Sequence, residues 1–170
     1  TIAQLLLRMY EVNNGSILYN GIPINEIDTV YLRSNISYVP QDVFLFSETV
    51  ENNIAFVIDT ATGTAVRQAA GQANIAAEIE QFFSGYQTII GERGVTLSGG
   101  QKQRISIARA LIKNPSIVIF DDCLSAVDAK TEKAVLNNLN VYLQNKTAIV
   151  ITHRIFSLFD FDKIIVLEDG

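Results

Sequence analysis

Two runs in the second half of the chain constrain the fold more than anything else. Leu97-Ser98-Gly99-Gly100-Gln101-Lys102-Gln103-Arg104 sets a serine and two glycines ahead of a helical pattern. Ser116-Ile117-Val118-Ile119-Phe120-Asp121-Asp122 is an apolar strand that ends in two carboxylates. Between them Ile105, Ala108 and Ile112 fall on one helical stripe, and Asn114-Pro115 ends it. Beyond the strand the pattern predicts a helix over 129–143, a strand over 147–151, a short helix over 154–159 and a strand over 163–167. Strands alternating with helices argue for an α/β unit with a parallel sheet.

The first half is organised differently. Residues 1–10 have the spacing of the end of an amphipathic helix. Residues 15–24 read as a hairpin around Asn20-Gly21, a pair in which both residues tolerate positive φ. A helical turn is expected over 28–33, and a β-branched strand over 36–39 that Pro40 stops. From Glu48 to Phe83 the chain is rich in Ala, Gln and Glu at helical spacing, which predicts two or three helices and no strand.

At 170 residues the chain has the length of about one domain. Its 48% apolar content suits a packed core. A formal charge of −5 gives no basic footprint, so no nucleic-acid partner is expected. The single cysteine, Cys123, excludes an internal disulfide and fits a reducing compartment. One histidine and one cysteine make no zinc site, and no Gly-x-Ser-x-Gly hydrolase string occurs.

Asp121 closes a buried strand, which would hold its carboxylate at the sheet edge where α/β proteins bind ligands. Such a carboxylate suits Mg²⁺ on a triphosphate, because Mg²⁺ keeps much of its water; alone it would more simply be an acidic turn residue. Ser98-x-x-Gln101 is a capping-box pattern. Two glycines in the first helical turn cost about 1 kcal/mol each against alanine. Bare N–H groups at a helix N-terminus form an anion site, which gives those glycines a use.

Together these runs resemble the signature motif and Walker B strand of ABC-type ATPases, and the resemblance extends from Gly15 to Gly170. It implies a P-loop NTPase-like parallel-sheet core (1–44 and 114–170) with an inserted helical subdomain (about 45–113). The family's G-x-x-x-x-G-K-[ST] phosphate loop is absent from the chain. The expectation is therefore an N- and C-terminally truncated domain that starts just after that loop and is inactive alone.

The same resemblance assigns the remaining roles. Gln41 matches the metal-contacting glutamine of the Q-loop, with Asp121 as the second metal residue. Ser98, Gly99, Gly100 and Gln101 would hold the γ-phosphate of ATP bound to the opposite subunit. Ser125 and Asp128 belong to a D-loop that crosses to the partner, although the run also reads as a helix N-cap. His153 would be the switch histidine on the γ-phosphate. Asp122 stands where the family carries a catalytic glutamate. Its shorter side chain falls back by roughly an ångström from the lytic water, and ~1 Å of misplacement can cost 10²-fold. An impaired site is expected; the alternative is that aspartate substitutes with little loss.

Pro40 to Ile54 and Gly91-Glu92-Arg93-Gly94 look like exporter-type members, with Ile89 in place of a common glutamate. Phe44, Leu45 and Phe46 are candidates for a groove that docks a transmembrane helix. The implied protein binds ATP and Mg²⁺ and pairs with a second nucleotide-binding domain. It carries a transmembrane domain, fused in the full-length protein, and works at the cytoplasmic face of the cell membrane. Two rivals remain: a soluble ABC ATPase acting on nucleic acid or ribosomes, and a largely non-catalytic partner in a heterodimeric transporter.

Overall fold

A short helix, α1 (Ile2–Leu6), opens the fold and lays Ala3 into the interior. The computed structural model describes residues 2–58, 60–91, 95–153 and 161–167; the helix expected over 154–159 and the run 92–94 lie outside them. The Asn-Gly signal folds as expected. β1 (Leu18–Tyr19) and β2 (Ile22–Pro23) pair antiparallel around Asn20 and Gly21, at φ 51° and 81°, the geometry of a two-residue type I′ turn. Asp28 then caps α2 (Thr29–Asn35), its carboxylate accepting the Tyr31 N–H at 2.8 Å. β3 (Ile36–Val39) follows directly.

The middle of the chain is helical: α3 (Val50–Ala55), α4 (Gly63–Gln72), α5 (Ala76–Glu80) and α6 (Gly99–Leu111). Its β pairing among the described residues is limited to two isolated bridges, Thr49 with Ile89 and Ile90 with Val95. Then come β4 (Ile117–Asp121), α7 (Ala129–Tyr142) and β5 (Thr147–Ile151). β4 lies between β3 and β5 and runs parallel to both.

Alternation along the strands builds two cores. Val118, Phe120 and Val150 face a large cluster that takes Ile105, Ile107 and Leu111 from α6 and Val135, Leu136 and Leu139 from α7. Ile54, Val66 and Ile79 belong to that cluster too, so the inserted helices share their core with the sheet. On the other face Ile117, Ile119, Ile149 and Ile151 pack with Ala3, Ile24 and Leu32. Each such aliphatic side chain contributes about 1.5–3 kcal/mol when fully buried.

The expectation of a strand over 163–167 is corrected. This segment joins no ladder, and Ile164, Ile165, Val166 and Leu167 are between 64% and 80% exposed. A strand needs a neighbour's free N–H and C=O groups. Among the described residues none pairs with this run, so its apolar pattern stays unfulfilled.

Candidate functional site

Parallel strands bring their C-terminal ends to one edge of the sheet. Val39 pairs with Phe120, and Asp121 with Ile151. That register puts Gln41 just past β3, Asp121 and Asp122 at the end of β4, and His153 just past β5, all at the same edge. Gln41 and His153 are exposed, while the two aspartates are half-buried.

Asp121 accepts a hydrogen bond from Tyr38 Oη at 2.8 Å across the β3–β4 pair. Burial, helped by that bond and by the carboxylate's charge, pushes the Tyr38 phenol up to about 12. Among the described residues no three His, Cys, Asp or Glu side chains gather as a protein cage. A half-buried carboxylate at the strand end, without a cage of protein ligands, suits a hard cation that takes its other ligands from phosphate and water. Asp122 leaves the ladder abruptly. Its N–H donates to Ile151 O at 2.9 Å, extending the ladder by one bond, and its φ is +43°. Aspartate is among the few non-glycine residues that enter this left-handed region readily.

The second half of the site is the start of α6. Ser98 caps it in a closed capping box: Ser98 Oγ accepts the Gln101 N–H at 3.2 Å, and Gln101 Oε1 accepts the Ser98 N–H at 2.9 Å. The other end of the Gln101 amide is also engaged, Nε2 donating to Glu78 Oε2 at 3.0 Å. Arg104, 5% exposed, bonds Glu78 Oε1 (2.6 Å), the Asn74 carbonyl (2.7 Å) and the Gly100 carbonyl (3.2 Å). The Arg104 hydrogen bond holds the Glu78 carboxyl below its usual range. Arg104 is buried but the Glu78 side chain is 38% exposed, so the pair fixes geometry more than it adds stability. It ties the capping turn to α5.

The turn over residues 122–128 closes onto the same helix start. A Cβ at Gly99 would lie 3.1 Å from Ala126 Cβ, and one at Gly100 would lie 2.9 Å from the Ala126 carbonyl oxygen. The two glycines thus serve close backbone approach, with Gly99 exposed and Gly100 buried. Ser125 is exposed and donates through Oγ to the Asp122 carbonyl at 3.0 Å. Asp128 caps α7, accepting from the Lys130 N–H (3.1 Å) and Thr131 N–H (3.0 Å). A hydrogen bond with the Thr131 side chain, and then the Thr131 and Lys130 N–H bonds, hold its carboxyl below the usual range.

Beside β3 opens a groove of about 320 Å³ whose lining includes Tyr38, Phe44, Phe46, Phe56, Arg109 and Lys113. Phe46 stacks on Phe56 at 4.2 Å and meets Phe44 edge-on at 5.1 Å. Phe44 is 67% exposed. Leu45 differs from its neighbours: it packs against the main core. Arg109 and Lys113 are satisfied by carbonyls, Arg109 by those of Asn53 and Phe44 and Lys113 by those of Arg33 and Ile36. Burial lowers the pKa of both.

Sequence reasoning gave no role to Gln103, Glu78 or Tyr38. Gln103 carried a readable signal: it shares a helical face with Ile107 and Leu111, four and eight residues on, and a polar side chain buried there needs partners. Glu78 and Tyr38 carried none, since their partners lie 26 and 83 residues away in the chain.

Residues 1–125 match a protein-family model described as ABC transporter. The probable multidrug resistance ABC transporter ATP-binding/permease protein YheI of Bacillus subtilis is 48% identical over 170 residues, covering 100% of this chain and 29% of that protein. The multidrug resistance-like ATP-binding protein MdlA of Escherichia coli is 44% identical over the same length and share. A solved bacterial Atm1-family ABC exporter with ATP bound superposes with a TM-score of 0.86 at 44% identity, over 90% of this chain and 27% of that one. The chain therefore spans less than a third of each of these proteins.

Proposed function

The chain belongs to the ABC transporter family, and on that premise we propose that it supplies ATP-binding and ATP-hydrolysing residues to an exporter-type membrane transporter. The observation that carries this reading is the packing of the Ser98–Gln101 turn against the loop that follows Asp121 and Asp122. One rigid unit thereby offers an anion-binding helix start and a carboxylate-bearing sheet edge.

In this reading two such domains sandwich ATP. Asp121, with Gln41 beside it, faces the Mg²⁺ that accompanies the nucleotide on this chain's own side. Bound Mg²⁺ would neutralise phosphate charge. Asp122 orients the attacking water and takes its proton, and His153 donates to a γ-phosphate oxygen. Ser98, Gly99 and Gly100 present donors to the γ-phosphate held by the partner domain, where preorganised donors stabilise developing charge. Gln101 holds the donors in place, because both ends of its amide are engaged within the chain. The helices from about 45 to 113 form the subdomain that moves on closure. The aromatic groove at Phe44 and Phe46 receives a helix of the transmembrane domain at the cytoplasmic face of the membrane. The acidic balance of the chain disfavours a nucleic-acid partner.

Single-turnover hydrolysis by the intact protein, with one substitution at a time, tests this. Asp122→Asn should abolish turnover at this chain's own site. Asp122→Glu should raise it if the shorter carboxylate limits the rate. Ser98→Ala should lower turnover at the partner's site by about a hundredfold or more, the scale of a lost transition-state donor. If Asp122→Asn and Ser98→Ala both leave hydrolysis unchanged, the reading is wrong. If Asp122→Glu brings no gain while Asp122→Asn is dead, aspartate is a competent substitute.

A further inference from the structure

Gln103 is 5% exposed on α6, and its amide is used at both ends. Nε2 donates to Ser125 Oγ at 3.1 Å, and Oε1 accepts the Ala126 N–H at 3.0 Å. Ser125 Oγ in turn donates to the Asp122 carbonyl at 3.0 Å. The direction of this chain is fixed chemically. The Ala126 N–H is a donor only, so the amide oxygen must face it. The serine hydroxyl has one proton, which goes to the Asp122 carbonyl, so its lone pair receives the amide N–H. The carbonyl at the far end belongs to a residue held at φ +43°. A non-glycine residue persists in that region only when its surroundings hold it there.

We infer that Gln103 is a positioning residue that joins the two half-sites carried by this chain. Through Ser125 it fixes the backbone bearing Asp122, and through Ala126 it fixes the same turn against Gly99 and Gly100. A shift at the carboxylate is thereby transmitted to the helix start that serves the partner's nucleotide. The inference rests on the reading of Asp122 as the hydrolytic carboxylate of this chain's own site.

The test uses the intact protein with Gln103→Leu, Ser125→Ala and the double variant. Each single change should lower kcat about tenfold and leave KM for ATP within twofold, because the residues position the carboxylate and do not load the nucleotide. The double variant should fall no further than the single ones, since both cut the same chain of bonds. A hundredfold, additive loss would overturn the relay, as would a kcat within twofold of wild type. Backbone amide exchange over residues 122–128 gives a second readout, and it should quicken in both single variants. If Asp122→Asn hydrolyses ATP at the wild-type rate, the assignment of Asp122 fails, and exchange alone decides the mechanical link: unchanged exchange ends it. If Gln103→Leu does not fold, Ser125→Ala, at an exposed residue, carries the same test.

Discussion

Replacing Gly100 by alanine sets two effects against each other. Alanine is a better helix former than glycine by about 1 kcal/mol. At Gly100, however, the new methyl would lie 2.9 Å from the Ala126 carbonyl oxygen and 3.5 Å from Val127 Cα. The obstructing atoms are backbone, and the turn that bears them is pinned by the Gln103–Ala126 bond on one side and the Asp128 cap on the other. Forcing a methyl into such a site costs about 1–3 kcal/mol. Gly71 in α4 is the internal control, because a Cβ there meets nothing within 4 Å. The propensity gain is common to both positions, so Gly100→Ala should be about 1–3 kcal/mol less stable than Gly71→Ala. For a domain of this size that separates the melting temperatures by roughly 2–12 °C. Thermal unfolding of the two intact variants measures it, with single-turnover hydrolysis alongside. If Gly100→Ala melts at or above Gly71→Ala, close approach is not what selects glycine at 100.

Two further outcomes follow from the site. The Glu78 carboxyl is held below its unfolded value of about 4.5, so its contribution is fully present above that pH and lost as pH falls through the folded value. Glu78→Gln should therefore be destabilised at neutral pH, with a gap to wild type that narrows below pH 4.5; urea midpoints showing a constant gap would refute the pairing with Arg104. Phe44→Asp, at an exposed groove position, should abolish transport in vesicles while ATP affinity stays near wild type, and a collapse of ATP affinity with intact transport would make Phe44 a core residue.

The legible parts of the fold were those written in local chemistry. Asn20-Gly21 gave the hairpin, and β3, β4 and β5 lie where the sequence put them to within a residue. The capping box at Ser98 was readable from four residues, since both of its bonds are local. What escaped depends on partners distant in sequence. The apolar run at 163–167 declares a strand but not a neighbour. The Phe44-Leu45-Phe46 trio reads as one patch, yet period-two alternation sends Leu45 to the core and its neighbours to the groove. The glycines at 99 and 100 were readable as bare backbone, but the approach of Ala126 arises only once the loop after β4 folds against the start of α6.

That approach shapes what evolution can do with this site. Asp122 leaves β4 in a left-handed conformation, which costs about 1–2 kcal/mol for a non-glycine residue. Aspartate bears that cost more readily than a glutamate would, and the Gln103–Ser125 chain and the Ile151 ladder bond offset it. The loop so held is also the surface against which Gly99 and Gly100 close. On the proposed reading, a substitution that shifts this loop would therefore act twice, on the carboxylate of one nucleotide site and on the helix start that serves the other. Weakening one site by shortening its carboxylate leaves the loop's backbone, and hence the other site's helix start, unchanged. Weakening it by altering the loop does not. On the proposed reading, Asp122 where the family carries glutamate would let two sites diverge in rate while the packing that joins them stays intact.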